Sequence, residues 1–337
     1  MDETRRPRLG PGAEFDLIRS MTSSARVLTD DRVLLGPGDD AAVLRSPSVG
    51  DIVLSCDMSV ENVHFKREWL TWEEIGWRSV ASALSDLAAM GARPLGALIS
   101  VAMAPELGPM VADPLATGAG NCLRLHDCPL VGGDLSRSPG PTVIDVTVLG
   151  STVNPISRAG ARIGDELWVT GYLGAAALAA ASWERGLEPD PRARRRFVRP
   201  EPRLAEIDWL RSRMDVHAAI DLSDGLAGDA RHMAAAADVR LTIEAEAVPL
   251  HATLEEFSDR EVALRIALTG GEDYELLIAT APREAATTRR EFEARFDVPL
   301  TRVGRVVSGA GVDLVRGDGT EDPMPSGGYD HFGVPEA

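Results

Sequence analysis

Six short acidic motifs, each flanked by glycine or serine, set the terms for any fold of this chain. They read GPGDD at 36–40, SCD at 55–57, SDLAAMGA at 85–92, GGD at 132–134, DLSDG at 221–225 and GGED at 270–273. Surface carboxylates of an acidic protein normally lie along polar helix faces. These stand at the ends of apolar runs, beside residues that turn the backbone. Carboxylates gathered there repel one another, and the usual remedy is a hard cation with oxygen ligands, Mg²⁺ above all. The pattern points to metal and phosphate chemistry.

Charge and composition narrow the partners. With 35 basic against 52 acidic residues the chain carries −17, a field that repels a nucleic-acid backbone or an anionic membrane. The run RARRRF at 192–197 reads as a solvated helix face. Three cysteines (Cys56, Cys122 and Cys128) are too few and too irregular for a disulfide framework or a zinc site. No apolar leader follows Met1, and runs such as LGALISVAMA at 95–104 are too short to span a bilayer. The expectation is a cytoplasmic protein. Lys66 is the only lysine, which removes P-loop enzymes and protein kinases, both of which need a lysine on the phosphates. Any ATP handled here must be neutralised by metal and arginine.

At 337 residues the chain exceeds what one core usually serves, so two domains are expected. Residues 1–13 read as a flexible lead-in and 14–21 as a short helix. AAVLR and DIVLSCD read as strands, the second ending at its acidic tip. A long helix is expected over 71–91, with Thr71 as N-cap, Glu74 three residues on and Gly91 as its stop. A buried strand over 95–104, a helix over 109–126, a strand running into a glycine turn at GGD, and the alternating strand PTVIDVTVLGSTV follow. The Pro/Gly-dense NPISRAGARIGD places a boundary near 150–155, giving an N-terminal domain of 14–153 and a C-terminal domain of 154–337. Beyond it come the strands ELWVTG, 217–221, VRLTIEAE, EDYELLIAT and LTRVGRVV, with helices at GAAALAAAS and DGLAGDARHMAAAA. Adjacent strands mixed with βα units predict a mixed α/β (α+β) fold.

Each motif has a plain alternative. GPGDD is equally a solvated turn, SCD a strand end, Ser223 or Asp224 a helix cap, and GGED a tight turn. Asp86 is harder to dismiss, because Leu84, Leu87, Ala88 and Met90 surround it and a mid-helix aspartate needs a partner. Gly132-Gly133-Asp134 sets bare backbone N–H groups beside a carboxylate, suited to a phosphate and its metal. Six such motifs together exceed what turns require.

The ordered set GPGDDAAVL, ENVHF, SDLAAMGARP, VGGDLSR, SRAGARIGD, DLSDGLAGD and GGEDYELL resembles the thiamine-monophosphate kinase family over about 13–333. That family belongs to the aminoimidazole ribonucleotide synthetase-like superfamily. The resemblance implies a homodimer formed by the N-terminal α/β domain, with a second α/β domain beside it. It implies transfer of the γ-phosphoryl of ATP onto thiamine monophosphate, assisted by several Mg²⁺ ions. The metal set it implies is Asp40, Ser55, Cys56, Asp57, Asp86, Asp134, Asp221 and Asp224. Cys56 stands where the family often has threonine. Gly133, Asp134, Arg158 and Ser223 look like ATP contacts, and His64, Glu272 and Tyr329 like the substrate side. Asp86, Asp134, Asp221 and Arg158 are the implied catalytic group, with Asp39 and Asp273 in support. The alternatives are another ATP-using enzyme of that superfamily, such as aminoimidazole ribonucleotide synthetase, and a non-catalytic Mg²⁺–nucleotide-binding protein.

Overall fold

Two sheets organise the computed structural model, which describes residues 33–35, 39–46, 50–282, 285–329 and 331. The lead-in, the helix expected over 14–21 and the glycines of GPGDD lie outside these residues. The first sheet comprises β1 (Val33–Leu35), β2 (Ala42–Leu44), β3 (Asp51–Val60), β4 (Arg93–Met103), β5 (Leu130–Arg137) and β6 (Val143–Thr152). Its order is β1-β2-β3-β6-β4-β5, antiparallel except for the parallel β4–β5 edge. Helix α1 (Trp72–Ala89) packs on β3 and β6, with α2 (Gly108–Leu125) beside it. The cap of α1 is as expected. Thr71 accepts from the Glu74 N–H, and the Glu74 carboxylate accepts from the Thr71 N–H at 2.9 Å. The helix ends at Gly91, whose φ of +61° an L side chain rarely adopts.

The α1–α2 crossing depends on two glycines. A Cβ on Gly118 would lie 1.8 Å from the Glu73 carbonyl oxygen, and one on Gly76 would lie 2.1 Å from that of Leu115. Both obstacles are backbone, so the helices would have to separate. Gly118→Ala is expected to cost about 2–3 kcal/mol, read by chemical denaturation; a loss under about 0.5 kcal/mol would mean that the crossing tolerates a methyl.

The second sheet holds β7 (Glu166–Thr170), β8 (Val216–Leu222), β9 (Arg240–Glu244), β10 (Glu275–Thr280), β11 (Leu300–Val307), β12 (Gly311–Val315) and β13 (Glu321–Pro323). Its order is β13-β12-β9-β11-β7-β10-β8, with β9–β12 the parallel pair. The helices between are α3 (Ala175–Glu184), α4 (Pro191–Val198), α5 (Leu204–Leu210), α6 (Leu226–Ala237), α7 (Ala252–Glu255), α8 (Arg260–Thr269) and α9 (Ala285–Phe296). The chain is thus a mixed α/β protein. Among the described residues no helix is long and apolar enough to cross a membrane.

Three expectations shift. β3 continues three residues past Asp57 to Val60, because β6 pairs with it along its whole length. Gly132, Gly133 and Asp134 lie within β5 and not in a turn, since β4 pairs with them. The strand expected at EDYELLIAT starts only at Glu275, as Glu272 (φ +75°) and Tyr274 (φ +50°) are left-handed. The cores also cross the expected boundary. Ala176, Ala179, Ala193, Phe197 and Val198 of α3 and α4 join the core of the first sheet. A separate cluster sets Ala88 and Ala89 of α1 against Ile207, Leu276 and Phe292 of the second half.

Candidate active site

Helix α1 faces the second half along one line. Arg78, Ser82 and Asp86 recur every four residues, so they share a face, and β8 packs nearby. Asp86 meets Asp221 from the end of β8 and Asp40 from the turn before β2. Carboxylate oxygens of the three lie within 4.8 Å of one another. Burial first, then the neighbouring carboxylates, pushes Asp86 and Asp221 well above the usual carboxylate range. Ser55 donates to Asp86 and lies 3.2 Å from the Asp40 carbonyl. Its place on β3 two residues before Asp57 puts both side chains on the same face. Asp57 is half-buried beside Ser82, and desolvation raises it too.

Arg158 is the cation at this cluster. It is buried, and its guanidinium donates to Asp40 Oδ1 at 2.5 Å and lies 3.5 Å from Asp39. Asp39 also accepts from the Ser157 hydroxyl at 2.6 Å and from the Arg158 N–H at 3.2 Å. Burial and Asp40 push Asp39 up to about 7 against the pull of Arg158. Asp40 Oδ2 is nevertheless buried and has no hydrogen-bond partner among the described residues. A buried carboxylate oxygen with no donor, among further carboxylates, suits a hard cation.

Two turns close the cluster. Asp224 follows β8, and its N–H donates to Asp229 at 3.2 Å. The Glu272 N–H donates to the Ser223 carbonyl at 2.8 Å and the Tyr274 N–H to that of Leu222 at 2.9 Å. Gly271 must be glycine here, since a Cβ would stand 2.3 Å from the Ser223 oxygen. The Tyr329 N–H donates to the Asp224 carbonyl at 3.2 Å, tying the C-terminal segment to the same turn. Asp273 points away and accepts from the Gly174 N–H at the start of α3, at 2.8 Å.

Beside the carboxylates a pocket opens, lined by Asp57, His64, Phe65, Arg78, Glu272 and Tyr274 among others. Glu272 pairs with Arg78 and accepts from the Tyr274 hydroxyl at 3.1 Å. Arg78 also donates to the Phe197 carbonyl and lies 3.9 Å over that ring. His64 accepts from the Val60 N–H at 3.0 Å. Its Nε2 is 3.2 Å from that of His331, whose ring is 4.7 Å from that of Tyr329. Burial, then His331, lowers the His64 pKa and favours neutral imidazole.

Asp40, Ser55, Asp57, Asp86, Arg158, Asp221, Ser223 and Asp224 are therefore brought to one centre, with His64 and Glu272 lining the adjoining pocket and Tyr329 linked to it through the His331 ring. Others stand apart. The Cys56 thiol is exposed on the opposite face of β3. Gly133 and Asp134 lie on β5, the exposed edge, separated from β3 by β6 and β4. Arg78, Tyr274, Asp229 and His331 were missed. The spacing of Arg78, Ser82 and Asp86 was the available signal for the first; Tyr274 and Asp229 lie inside GGEDYELL and DLSDGLAGD, and His331 carries no signal of its own.

Known proteins match the chain across both sheets. The family model for AIR synthase related protein, N-terminal domain, matches residues 38–152, and that for its C-terminal domain matches 162–317. A thiamine-monophosphate kinase of Rhodopirellula baltica is 36% identical over 290 residues, 83% of this chain and 86% of that protein. One from Escherichia coli K12 is 32% identical over 328 residues, covering 96% and 99%. A solved structure, AaThiL complexed with AMPPCP and TMP, superposes with a TM-score of 0.80 at 29% identity over 95% of this chain and 97% of that one. Identity of this order, sustained over most of the length of both proteins, makes the chain a member of the thiamine-monophosphate kinase family.

Proposed function

We propose that this chain transfers the γ-phosphoryl group of ATP onto the phosphate of thiamine monophosphate, giving thiamine diphosphate and ADP, at a Mg²⁺ centre held by its carboxylate cluster. The observation that carries this reading is the meeting of Asp40, Asp86 and Asp221, with an unpartnered Asp40 oxygen, beside a pocket reached by His64 and Glu272. The solved relative that holds AMPPCP, an ATP analogue, together with TMP supports the pair of substrates.

Asp40, Asp57, Asp86, Asp221 and Asp224 would hold Mg²⁺ with the Ser55 hydroxyl and the Cys56 carbonyl, and Mg²⁺ would neutralise the charge of the two phosphate chains. Joining two phosphates requires positioning and charge neutralisation more than an acid or a base. Arg158, fixed by Asp39 and Asp40, offers its remaining donors to a nucleotide phosphate. Arg78 and Tyr274 hold Glu272 in place, and Glu272, neutral His64 and the Tyr329 ring orient the thiamine end. Ser223 serves the nucleotide.

A homodimer would account for Gly133 and Asp134. Edge strand β5 leaves Leu130, Val131 and Leu135 all more than half exposed, and an uncovered edge invites pairing. A second copy seated there would bury Asp134 and the nucleotide contacts assigned to it. A cytoplasmic setting fits ATP as co-substrate and the free thiols of Cys56, Cys122 and Cys128.

Incubating the protein with MgATP and thiamine monophosphate should yield thiamine diphosphate and ADP, and EDTA should stop it. Consumption of formylglycinamidine ribonucleotide instead would overturn the substrate. Mg²⁺ alone should also raise the melting temperature, by a stabilisation of about 3 kcal/mol at one hundred times its Kd. An unchanged melting curve would remove the cation from the cluster.

A further inference from the structure

Helix α4 carries a feature that the reaction above does not use. Arg192, Arg195, Arg196 and Arg199 recur at i, i+3, i+4 and i+7, a spacing that puts them on one stripe. The opposite stripe, with Ala193, Phe197 and Val198, is buried. Like charges four residues apart destabilise a helix, and this stripe holds two such pairs, Arg192–Arg196 and Arg195–Arg199. Carboxylates offset the first pair. Arg192 lies 3.0 Å from Asp190 and 2.8 Å from Glu256, and Arg196 pairs with Glu275. Among the described residues no carboxylate pairs with Arg195 or Arg199; Arg199 lies 4.0 Å over the Trp77 ring.

The four arginines share a cleft of about 320 Å³ with His251 and Glu201, a volume in the range of small-molecule sites. Glu201 leans 3.9 Å from Arg203. His251 Nδ1 accepts from the Thr253 N–H at 3.3 Å, which leaves the Nε2 proton of a neutral ring free to donate. Burial, Arg196 and Arg192 hold that ring neutral by lowering its pKa. A cleft walled by guanidinium forks, on a chain of net charge −17, is built for oxyanions. Arg199 caps the C-terminal end of α4, its N–H donating to the Arg195 carbonyl at 3.0 Å, so the two cations stand one turn apart, a spacing better met by two linked phosphates than by one.

We propose that this cleft is a second anion site, separate from the carboxylate centre, and that it takes a diphosphate group, as free pyrophosphate or as the end of a nucleotide. It backs onto the substrate pocket, because Phe197 on the far side of α4 carries Arg78.

Calorimetric titration of the full chain with pyrophosphate in EDTA tests this, since the carboxylate centre then has no cation with which to recruit phosphate. One site is expected. Arg195→Glu should weaken it at least about tenfold, Arg195→Lys should weaken it less, and Asp86→Asn should leave it unchanged. A parallel titration with ADP separates the sources. Equal affinities assign recognition to the phosphates alone, tighter ADP assigns it to a nucleotide, and either result supports the site. Failure of pyrophosphate to bind the unaltered chain, or binding that Arg195→Glu leaves intact, overturns it. Arg195 is exposed and, among the described residues, forms no ion pair, so its variants should melt with the parent; if Arg195→Glu does not fold, Arg195→Ala carries the same test. Thiamine diphosphate formation enters none of these readouts, so this proposal and the kinase reading fail separately.

Discussion

Asp86→Asn is expected to lower thiamine diphosphate formation by roughly 10³-fold or more, while in EDTA the protein melts no lower than the parent. Both halves follow from one geometry. Asp86, Asp40 and Asp221 crowd within 4.8 Å, so without a cation their charges oppose the fold. Two unit charges about 4 Å apart repel by roughly 1–4 kcal/mol, from bulk water to a surface-like environment. Asparagine removes one charge and keeps an oxygen for the Ser55 hydroxyl. The pH dependence has a definite sign. Burial and mutual repulsion raise Asp86 and Asp221 in the folded state, so the cation-free fold binds protons more tightly than the unfolded chain. Its stability therefore falls as pH rises from the ordinary carboxylate range through the raised values. Asp86→Asn should flatten that fall. Turnover within tenfold of the parent, or a clear drop in melting temperature in EDTA, would sink the assignment.

Glu275→Ala is expected to cost about 3–5 kcal/mol, the largest stability loss foreseen here. Glu275 is fully buried at the start of β10, accepting from Arg203 at 2.6 and 2.7 Å and from the Thr170 hydroxyl at 2.8 Å. Arg203 is itself buried, so the truncation leaves its Nε and Nη2 without an acceptor and only Glu206, at 3.2 Å from Nη1, as a close counter-charge. Glu275→Gln should cost less, since it still accepts one bond. Burial would raise the Glu275 pKa, but Arg203 and Arg196 outweigh it and the net direction is down. A depressed carboxylate contributes stability above its unfolded pKa, near 4.5, and loses it as pH falls through the lower folded value. The parent should thus lose stability below about pH 4.5 more steeply than Glu275→Gln. A denaturation midpoint for Glu275→Ala equal to that of the parent would contradict this. Because Glu275 directly follows the turn that presents Glu272, activity should fall in step with stability.

Local physics made much of the fold legible. The α1 helix could be read from its capping box and stop glycine, because caps act within one turn. β6 could be read from its alternation, because one face is buried along its whole length. Other boundaries depended on partners distant in sequence. β3 outruns its acidic tip because β6 pairs with it to Val60. Glu272 and Tyr274 are held left-handed by the carbonyls of Ser223 and Leu222, contacts that no short window of sequence contains. Arg78 was hidden within an apolar helix; its meaning depends on Glu272, 194 residues away.

Composition and motif order had already pointed to the chemistry: carboxylates at backbone turns and a single lysine, a pattern suited to phosphate held through metal and arginine. Local residue choice suffices for that conclusion, since the donor atoms and their charge are written residue by residue. Which carboxylates meet could come only from packing. Asp40, Asp86 and Asp221 converge because α1 is pressed between the two sheets, while Asp134 and the Cys56 thiol are carried to an exposed edge and an exposed face. A one-residue step along a strand reverses the face a side chain presents, and the partners that fix that face lie far away in the chain.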